Sequence, residues 1–439
     1  MPFAFTRLFF VLLALSLIPL SLSWNAPVLR WAALGCNILL IALAIVDWRL
    51  SALPADITFT RRFARRFAIK DKNTIRIVIE NKTVNGFRLW IKDEYPPELR
   101  LSGERQQQVV SNGQTITVLE YDLTPYKRGE YAFGATVVRS LSKFRLVWCQ
   151  TACETSQTIK VYPNLRRAQE VELATLGAQS QAAMRRRSFL RGEGRDFESL
   201  REYVRGDEMR HLSWTATARR GKLVTRQYQI ERDQNIVIAL DAGRLMTGRI
   251  EDESKFDTAI QAALSLMSAA VRGGDNVGIV VFKRQAAGFL PVKRGTGQLE
   301  AALEVLYNIE PEMIEPSYAR AFEFIAANCK RRSLVVVLTD VVDEVGSKEL
   351  VESFKLLRPR HLPVAVTIGD RDLRAVVQQP PSSTANLFAQ AVSDEILHQR
   401  ETSLREIEML GCLTLDVTTK TLAPSLLKTY LQIKERGLL

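Results

Sequence analysis

The chain has 439 residues, of which 46% are hydrophobic and 25% charged, and its formal net charge is +12. Such values are typical of a chain that folds around hydrophobic cores, and the length predicts two or three domains. The odd set of five scattered cysteines argues against a disulfide framework, and the three widely separated histidines argue against a zinc site with clustered ligands.

Two apolar runs occupy residues 1–50. Leu8–Ser23 is almost entirely apolar, the four residues Trp24–Pro27 interrupt it, and Val28–Val46 is a second run that ends at Asp47-Trp48-Arg49. Each run approaches the ~20 residues with which a helix spans a bilayer. The sequence therefore predicts a transmembrane hairpin, two membrane helices joined by a tight turn.

Basic residues flank this predicted hairpin on one side. One precedes the first run and five follow the second: Arg7, Arg49, Arg61, Arg62, Arg65 and Arg66. The positive-inside rule predicts a multi-pass protein of the bacterial inner (cytoplasmic) membrane whose body faces the cytoplasm. A cleaved signal peptide ending at Ser21-Leu22-Ser23 is the alternative, and it leaves the second run as a span.

Residues 55–163 alternate between apolar and polar side chains, and turn residues separate the runs. The predicted strands are Thr74–Asn81, Phe87–Ile91, Thr115–Tyr121, Tyr131–Val138 and Thr158–Tyr162. Short strands at this spacing predict an antiparallel, β-sandwich-like domain. Such domains usually bind other molecules or act as spacers between domains, and these residues suggest no catalytic chemistry.

Residues 164–233 form a polar, Arg-rich segment with little periodicity, and residues 234–439 alternate between strand and helix patterns. The predicted strands are Ile236–Leu240, Asn276–Phe282, Leu334–Leu338, Val364–Ile368 and Cys412–Val417. The predicted helices are Phe256–Val271, Leu299–Leu306, Ala319–Ala327, Leu350–Leu357, Leu387–Met409 and a final helix. This alternation predicts a mostly parallel sheet with helices on both faces, in which ligands bind beyond the carboxyl ends of the strands.

Asp241 and Asp340 each follow one of these predicted strands, so a hard cation such as Mg²⁺ is one hypothesis, with Ser317 as a third ligand. The alternative is that these aspartates only bond loop amides or cap helices. Three glycine-containing segments are too incomplete to predict a phosphate loop: Gly192-Glu193-Gly194, Gly295-Thr296-Gly297 and Gly221-Lys222. No constellation of catalytic residues stands out.

Arginines interleave with aromatic residues between Arg185 and Arg232, a pattern compatible with a nucleic-acid surface. Acidic residues run through the same segment, among them Glu193, Asp196 and Asp207. Mixed charge favours a structural joint or a protein-docking face, so no nucleic-acid partner is expected.

The stretch Phe189–Arg219 resembles the signature of the bacterial domain-of-unknown-function-58 family. The matching residues are Arg191, Gly192, Gly194, Asp196, Phe197, Arg201, Tyr203, Gly206, Asp207, Arg210, Trp214, Thr217 and Arg219. The segments Tyr121–Tyr131 and Tyr430–Gly437 and the helix pair fit as well. The resemblance implies a membrane hairpin, a β-sandwich-like region and an α/β von Willebrand factor A-like (Rossmann-type) domain, and partnership with a MoxR-type AAA+ ATPase in chaperone-like assembly or maturation of client proteins.

A von Willebrand factor A domain holds Mg²⁺ with Asp-x-Ser-x-Ser, a Thr and an Asp. Here the first motif is Asp241-Ala242-Gly243-Arg244-Leu245, and neither Gly243 nor Leu245 offers a hydroxyl. Ser317 and Asp340 take the other two positions, so the resemblance implies a degenerate site, and no cofactor is expected. The leading hypothesis is a non-enzymatic, membrane-anchored adaptor or scaffold, and the alternatives are a metal-dependent hydrolase using Asp241 and Asp340 and a nucleic-acid-binding membrane protein.

Overall fold

The structure is a computed structural model of the chain, and it divides into two compact units, Met1–Tyr162 and Pro163–Leu439. It describes residues 3–16, 18, 28–51, 56–64, 66–104, 106–186, 196–204, 209, 212–229, 233–250, 253–341, 344–369, 371–378, 380 and 383–438. In parts of 176–232 only the course of the backbone is described.

Two apolar helices begin the first unit, α1 (Arg7–Ser16) and α2 (Val28–Leu50). They contact each other, and Ser16 Oγ donates to Asn37 Oδ1 at 2.6 Å. Among the described residues, the part of α2 from Arg30 to Leu50 is the one helix long and apolar enough to cross a membrane. Most of its side chains are exposed, whereas the core helix of a water-soluble fold would be buried. The predicted turn at Trp24–Pro27 and the predicted cleavage motif lie outside the described residues.

The remainder of the first unit is built from β-strands. The strands of this unit are β1 (Phe3–Phe5), β2 (Ile57–Arg62), β3 (Phe67–Ala68), β4 (Asn73–Asn81), β5 (Phe87–Asp93), β6 (Leu99–Ser102), β7 (Gln107–Ser111), β8 (Thr115–Pro125), β9 (Gly129–Phe133), β10 (Thr136–Leu141), β11 (Val147–Cys153) and β12 (Gln157–Tyr162). In the described ranges they form sheets ordered β1-β11-β10-β5-β7, β2-β4-β8-β6 and β3-β12-β9. Alternate apolar side chains form the shared core, among them Ile77, Leu89 and Phe133, as the period-two pattern requires.

The predicted strand Tyr131–Val138 is wrong as a single element. It is two strands, β9 and β10, which pair in different sheets, with Gly134 between them. The Gly134 amide donates to the Glu94 carbonyl at 2.8 Å, and a Cβ at Gly134 would approach the Glu94 side chain to 2.7 Å. The chain changes sheet at this close approach, and an alternating pattern carries no information about which sheet a strand joins.

One arginine of the basic flank is not a surface charge. The Arg61 side chain is fully buried in the sandwich, where its Nε donates to Asp93 Oδ2 at 2.9 Å and its guanidinium lies over the Phe133 ring. Arg61 therefore serves the sandwich core and contributes nothing to a charge flank at the membrane.

The second unit contains a small hairpin and a larger α/β layer structure. Its helices are α3 (Leu165–Arg186), α4 (Trp214–Arg220), α5 (Lys255–Arg272), α6 (Gly297–Leu306), α7 (Tyr318–Asn328), α8 (Glu344–Leu357), α9 (Arg371–Gln378), α10 (Thr384–Met409) and α11 (Leu422–Glu435). Its strands are β13 (Asp196–Glu202), β14 (Val224–Gln229), β15 (Asn235–Asp241), β16 (Arg249–Ile250), β17 (Glu253–Ser254), β18 (Asn276–Phe282), β19 (Ala286–Lys293), β20 (Ser333–Thr339), β21 (Leu362–Gly369) and β22 (Leu413–Thr418).

The main sheet of the described part of this unit has the order β19-β18-β15-β20-β21-β22. The pairings from β18 to β22 are parallel, and β19 joins the edge antiparallel to β18. Strands β15 and β20 are buried along nearly their whole length because helices cover both faces, so they are continuous apolar runs. All five predicted strands lie within, or one residue from, strands of this sheet.

The start of the Arg-rich segment is helical. Helix α3 packs against α5 and α11. Ser265 Oγ donates to the Ala168 carbonyl at 3.0 Å, and Arg272 pairs with the buried Glu172 at 2.5 Å. This part of 164–233 therefore belongs to the α/β layer structure and is not a separate polar segment.

Candidate functional site

The carboxyl ends of the parallel strands bring the chemistry-bearing residues together. Strand β15 ends at Asp241, β20 ends at Thr339 with Asp340 directly after it, and β22 carries Asp416 near its end. Parallel register aligns these ends, because Leu240 lies beside Leu338 and Thr367 beside Asp416. We call this edge, with the loops that follow its strands, the carboxyl edge.

Asp241 is surrounded by neutral hydrogen-bond donors. Its Oδ1 accepts from the Gly243 amide at 2.7 Å, and its Oδ2 accepts from Thr339 Oγ1 at 2.6 Å and from the Tyr318 hydroxyl at 3.1 Å. Only 1% of the residue is exposed. Burial raises the pKa of Asp241 to about 6, against the hydrogen bonds, which lower it.

Asp340 is paired with two cations. Lys255 Nζ lies 2.6 Å from Asp340 Oδ2, and Arg400 NH1 lies 2.5 Å from Asp340 Oδ1. Oδ1 also accepts from the Val341 amide at 2.8 Å. Both oxygens are thus bonded to positive groups held by α5 and α10. Such a pair replaces the water that a buried carboxylate loses.

Arg400 extends this pairing to the last strand. Its Nε and NH2 donate to Asp416 Oδ1 at 3.0 and 2.8 Å, while Arg374 donates to Asp416 Oδ2 at 2.6 Å. Thr367 Oγ1 of the intervening strand β21 also donates to Asp416 at 3.0 Å. The ends of β20, β21 and β22 are therefore joined by one ion-pair network.

The third predicted ligand does not join the two aspartates. Ser317 Oγ donates to Glu349 Oε1 at 3.4 Å, and the Ser317 amide donates to the Lys283 carbonyl. The hydroxyls that reach Asp241 come from Tyr318, the next residue, and from Thr339.

Gly243 lies where a larger side chain would meet its neighbours. A Cβ at this position would lie 2.7 Å from Pro316 Cδ and 3.0 Å from Asp241 Oδ1. The loop 312–317 is packed directly on Gly243, and the Ile314 carbonyl accepts from the Arg244 amide at 2.8 Å. A serine at 243 would have to displace this loop.

The residues of this site do not fit a hard cation. The oxygens of Asp340 are bonded to Lys255 and Arg400, and those of Asp241 accept three hydrogen bonds. Within the described ranges, no group of three or more His, Cys, Asp or Glu side chains is placed to hold a metal ion. An entering cation would have to displace an ammonium or a guanidinium that is already fixed in place.

The outer surface of the carboxyl edge carries paired charges and the exposed side chain of Met313. Arg244 pairs with Glu315 at 3.1 Å, Lys283 pairs with Glu312, and Met313 between them is 74% exposed. We call these residues of the loops 244–247, 283–284 and 312–315 the loop surface. Exposed Met flanked by charged groups is typical of surfaces that bind proteins.

The signature residues are only partly described. Arg191, Gly192, Gly194, Gly206, Asp207 and Arg210 lie outside the described residues, and only the backbone of Asp196, Phe197 and Arg201 is described. The Val224 amide donates to Thr217 Oγ1 at 3.0 Å, which holds β14 to α4, and the Tyr203 amide donates to the Leu223 carbonyl, which joins the end of β13 to the start of β14. Trp214 is 65% exposed and Arg219 is exposed, so these two are free to contact a partner.

Local sequence patterns did not identify several residues of the site. Lys255, Tyr318, Arg400 and Asp416 complete it, yet each lies in an ordinary helix or strand pattern with no local motif around it. Only Thr339 carried a signal, because it directly precedes Asp340 at the end of an apolar run.

Comparison with known proteins gives a family match and distant relatives. Residues 199–382 match the family described as "Protein of unknown function DUF58", which confirms the resemblance over this part of the chain. The uncharacterized protein YeaD of Bacillus subtilis is 22% identical over 230 residues, 52% of this chain and 54% of YeaD. The uncharacterized protein Rv1480 of Mycobacterium tuberculosis is 22% identical over 181 residues, 41% of this chain and 56% of Rv1480. The chain therefore spans little more than half of the length of these relatives.

Solved structures are similar only at a level that supports no argument about fold or function. Proximal thread matrix protein 1 from the mussel byssus is 12% identical with a TM-score of 0.28, covering 46% of this chain and 47% of that one. An uncharacterized membrane-spanning protein from Vibrio fischeri is 12% identical with a TM-score of 0.17, covering 46% of this chain and 99% of that one.

Proposed function

We propose that this protein is a membrane-anchored, non-enzymatic adaptor whose carboxyl edge docks a MoxR-type AAA+ ATPase, client proteins or both. In this account the α/β layer structure is a von Willebrand factor A-like domain, and its role lies in chaperone-like assembly or maturation. The DUF58 match supports the family context, and the nature of the partner is part of the proposal.

One observation carries the proposal. Asp340 and Asp416 are paired with Lys255, Arg400 and Arg374, and the oxygens of Asp241 accept three hydrogen bonds, so the acidic groups at the strand ends already have partners. A catalytic or metal site needs a group left open for substrate or ion. A surface with paired charges and exposed Met313 suits protein docking instead.

Helix α2 supports the proposed membrane anchor. A helix of this length and hydropathy with most side chains exposed needs a lipid environment, since water would make contact with a long apolar surface. Arg7 at the start of α1 and Arg49 near the end of α2 favour a cytoplasmic position for both flanks. A soluble ATPase of the cytoplasm would then reach the loop surface.

Co-purification tests the association. The full chain, cross-linked in native membranes that contain a MoxR-type ATPase, should bring down that ATPase or a client. Met313→Glu should reduce recovery, whereas Met409→Glu, at an equally exposed Met near the amino ends of the strands, should not. Equal recovery with both variants, or no association at all, contradicts the proposal.

The hydrolase alternative has its own test. It requires Mg²⁺ or Mn²⁺ at Asp241 and Asp340, so calorimetry would record saturable heat that Asp241→Ala and Asp340→Ala abolish. We expect no such heat from the wild-type chain, because Lys255 and Arg400 already occupy Asp340.

A further inference from the structure

The end of α2 is fastened to one turn of the β-sandwich. Asp47 is fully buried, and it accepts hydrogen bonds from Ser142 Oγ at 2.5 Å and from the amides of Phe144 at 3.0 Å and Leu146 at 3.3 Å. The turn between β10 and β11 (residues 142–146) therefore has a fixed position against the last turns of the helix.

The same turn reaches alongside the apolar part of α2. Leu146 and Val147 form a buried cluster with Phe9 and Ala44, and Leu40 and Trp48 pack against it. Ala44 lies six residues before Leu50, which is about 9 Å along a helix axis. If α2 spans a bilayer, this turn lies at the depth of the membrane interface.

Strand register places two further turns at this end of the sandwich. Strand β5 lies beside β10 with Leu89 opposite Ser140, so the turn between β4 and β5 (residues 82–86) lies at the same end as residues 142–146. The turn between β7 and β8 (residues 112–114) joins it, because Asn81 pairs with Thr115 and the Gln114 amide donates to the Thr83 carbonyl at 2.8 Å. We call these three turns the proximal end.

Exposed apolar side chains are concentrated at the proximal end. Among the described residues 56–162, the exposed large hydrophobic side chains are Val84, Val110, Ile116, Val118, Tyr126 and Phe144. Val84 (80% exposed) and Phe144 (55%) are on the turns themselves, Val110 and Ile116 lie on β7 and β8 within two residues of the turn 112–114, and Val118 lies further along β8. Tyr126 alone is at the opposite end, just after β8.

Basic side chains accompany these apolar ones. Lys143 and Arg145 flank Phe144 directly and both are exposed, and Lys82 lies two residues before Val84, 3.7 Å from Glu80. Apolar tips flanked by cations suit a surface with an apolar interior and anionic phosphates above it, which is the chemistry of a lipid headgroup layer.

We infer that the proximal end is a membrane-docking surface. Val84 and Phe144 insert into the interface of the bilayer that α2 spans, while Lys143 and Arg145 lie on the headgroup phosphates. Asp47 fixes the depth of insertion, so the sandwich is held against the membrane. This inference rests on the proposed anchor and is independent of the docking of an ATPase.

Spin-label accessibility in lipid nanodiscs tests this inference. Labels are attached to Phe144→Cys, Val84→Cys, Tyr126→Cys and Leu39→Cys in the full chain, in a background where Cys36 and Cys153 are replaced by alanine. Collisions with oxygen, which concentrates in lipid, are compared with collisions with a water-soluble nickel chelate. Leu39, on the exposed face of α2, reports the span, and Tyr126 reports the opposite end of the sandwich.

We expect oxygen accessibility to exceed nickel accessibility at positions 39, 84 and 144, and the reverse at 126. Labels at 84 and 144 that match position 126, while 39 is in lipid, overturn the inference and leave the anchor standing. A label at 39 that is exposed to water overturns the anchor and this inference together. Neither result bears on whether the loop surface docks an ATPase.

Discussion

Two aspartates at neighbouring strand ends are buried by different means. Asp241 is solvated by three neutral donors, and Asp340 by an ammonium and a guanidinium. Neutral donors compensate only part of the cost of burying a charge, which is why burial raises the pKa of Asp241 to about 6. The two residues should therefore respond differently to substitution.

The first prediction concerns Asp241→Asn and pH. The pKa of Asp241 is about 6 in the folded chain and near 3.8, the ordinary value for an aspartate, when the chain is unfolded, so the folded state binds the proton more tightly. As pH rises from about 4 to 6, the wild-type chain should lose up to about 3 kcal/mol of stability relative to Asp241→Asn, and the difference should be constant above that. Thermal midpoints of the two chains across this range measure it, and a difference independent of pH would show that Asp241 does not titrate there.

The second prediction concerns Lys255→Met. The substitution removes one of two cations from a buried carboxylate, so we expect a loss of about 2–3 kcal/mol, limited because Arg400 remains. Arg405→Gln is the control, since the Arg405–Glu401 pair is exposed and should be worth less than about 0.5 kcal/mol. A Lys255→Met chain as stable as the control would mean that the ion pair is not needed to hold Asp340.

At the scale of elements, the buried strands were the most predictable part of the fold. Strands β15, β18 and β20 are short continuous runs of Val, Ile and Leu, because helices on both faces leave no polar side to alternate with. Edge strand β19 was missed, since it contains Pro291 and pairs on one side only. Helix α9 was missed as well, because its eight residues make only about two helical turns.

Contacts between distant residues could not be predicted from the sequence. Arg400 lies on a long helix of ordinary polar pattern, 60 residues from Asp340 and 16 from Asp416, and only the packing of α10 beside β22 brings them together. Asp47 likewise suggests only the polar end of an apolar helix, whereas it is buried against a turn 95 residues away. Local patterns predicted the strands and helices. The ion pairs of Arg400 and the attachment of Asp47 to the turn 142–146 depend on tertiary packing, which no local pattern indicates.

The third prediction concerns Asp47→Ala, which should release α2 from the sandwich. Loss of the carboxylate leaves the partly buried amide of Phe144 and the buried amide of Leu146 without their acceptor, a cost of about 2–4 kcal/mol. Hydrogen exchange of these two amides in the full chain should accelerate strongly. Asp56→Ala is the control, because the Asp56 side chain is exposed and exchange should remain as in the wild type. Unchanged exchange in Asp47→Ala would contradict the proposed attachment of α2 to the turn 142–146.

At the scale of the whole molecule, the two compact units have separate tasks in this account. The first unit carries the proposed anchor and the proximal end, and the second carries the carboxyl edge with its loop surface. In the proposed role, the outer face of the carboxyl edge is the part that contacts partners. The central claim is therefore that partners bind at the loop surface.

A photo-activated cross-linker at residue 313 tests that claim most directly. It is placed in the full chain in native membranes that contain a MoxR-type ATPase. A second variant carries it at residue 409, a similarly exposed Met near the amino ends of the strands. The account predicts cross-links to the ATPase or to a client protein from residue 313 and not from 409. Cross-links of equal yield from both positions, or none from 313 while the chain is present in the membrane, would contradict it.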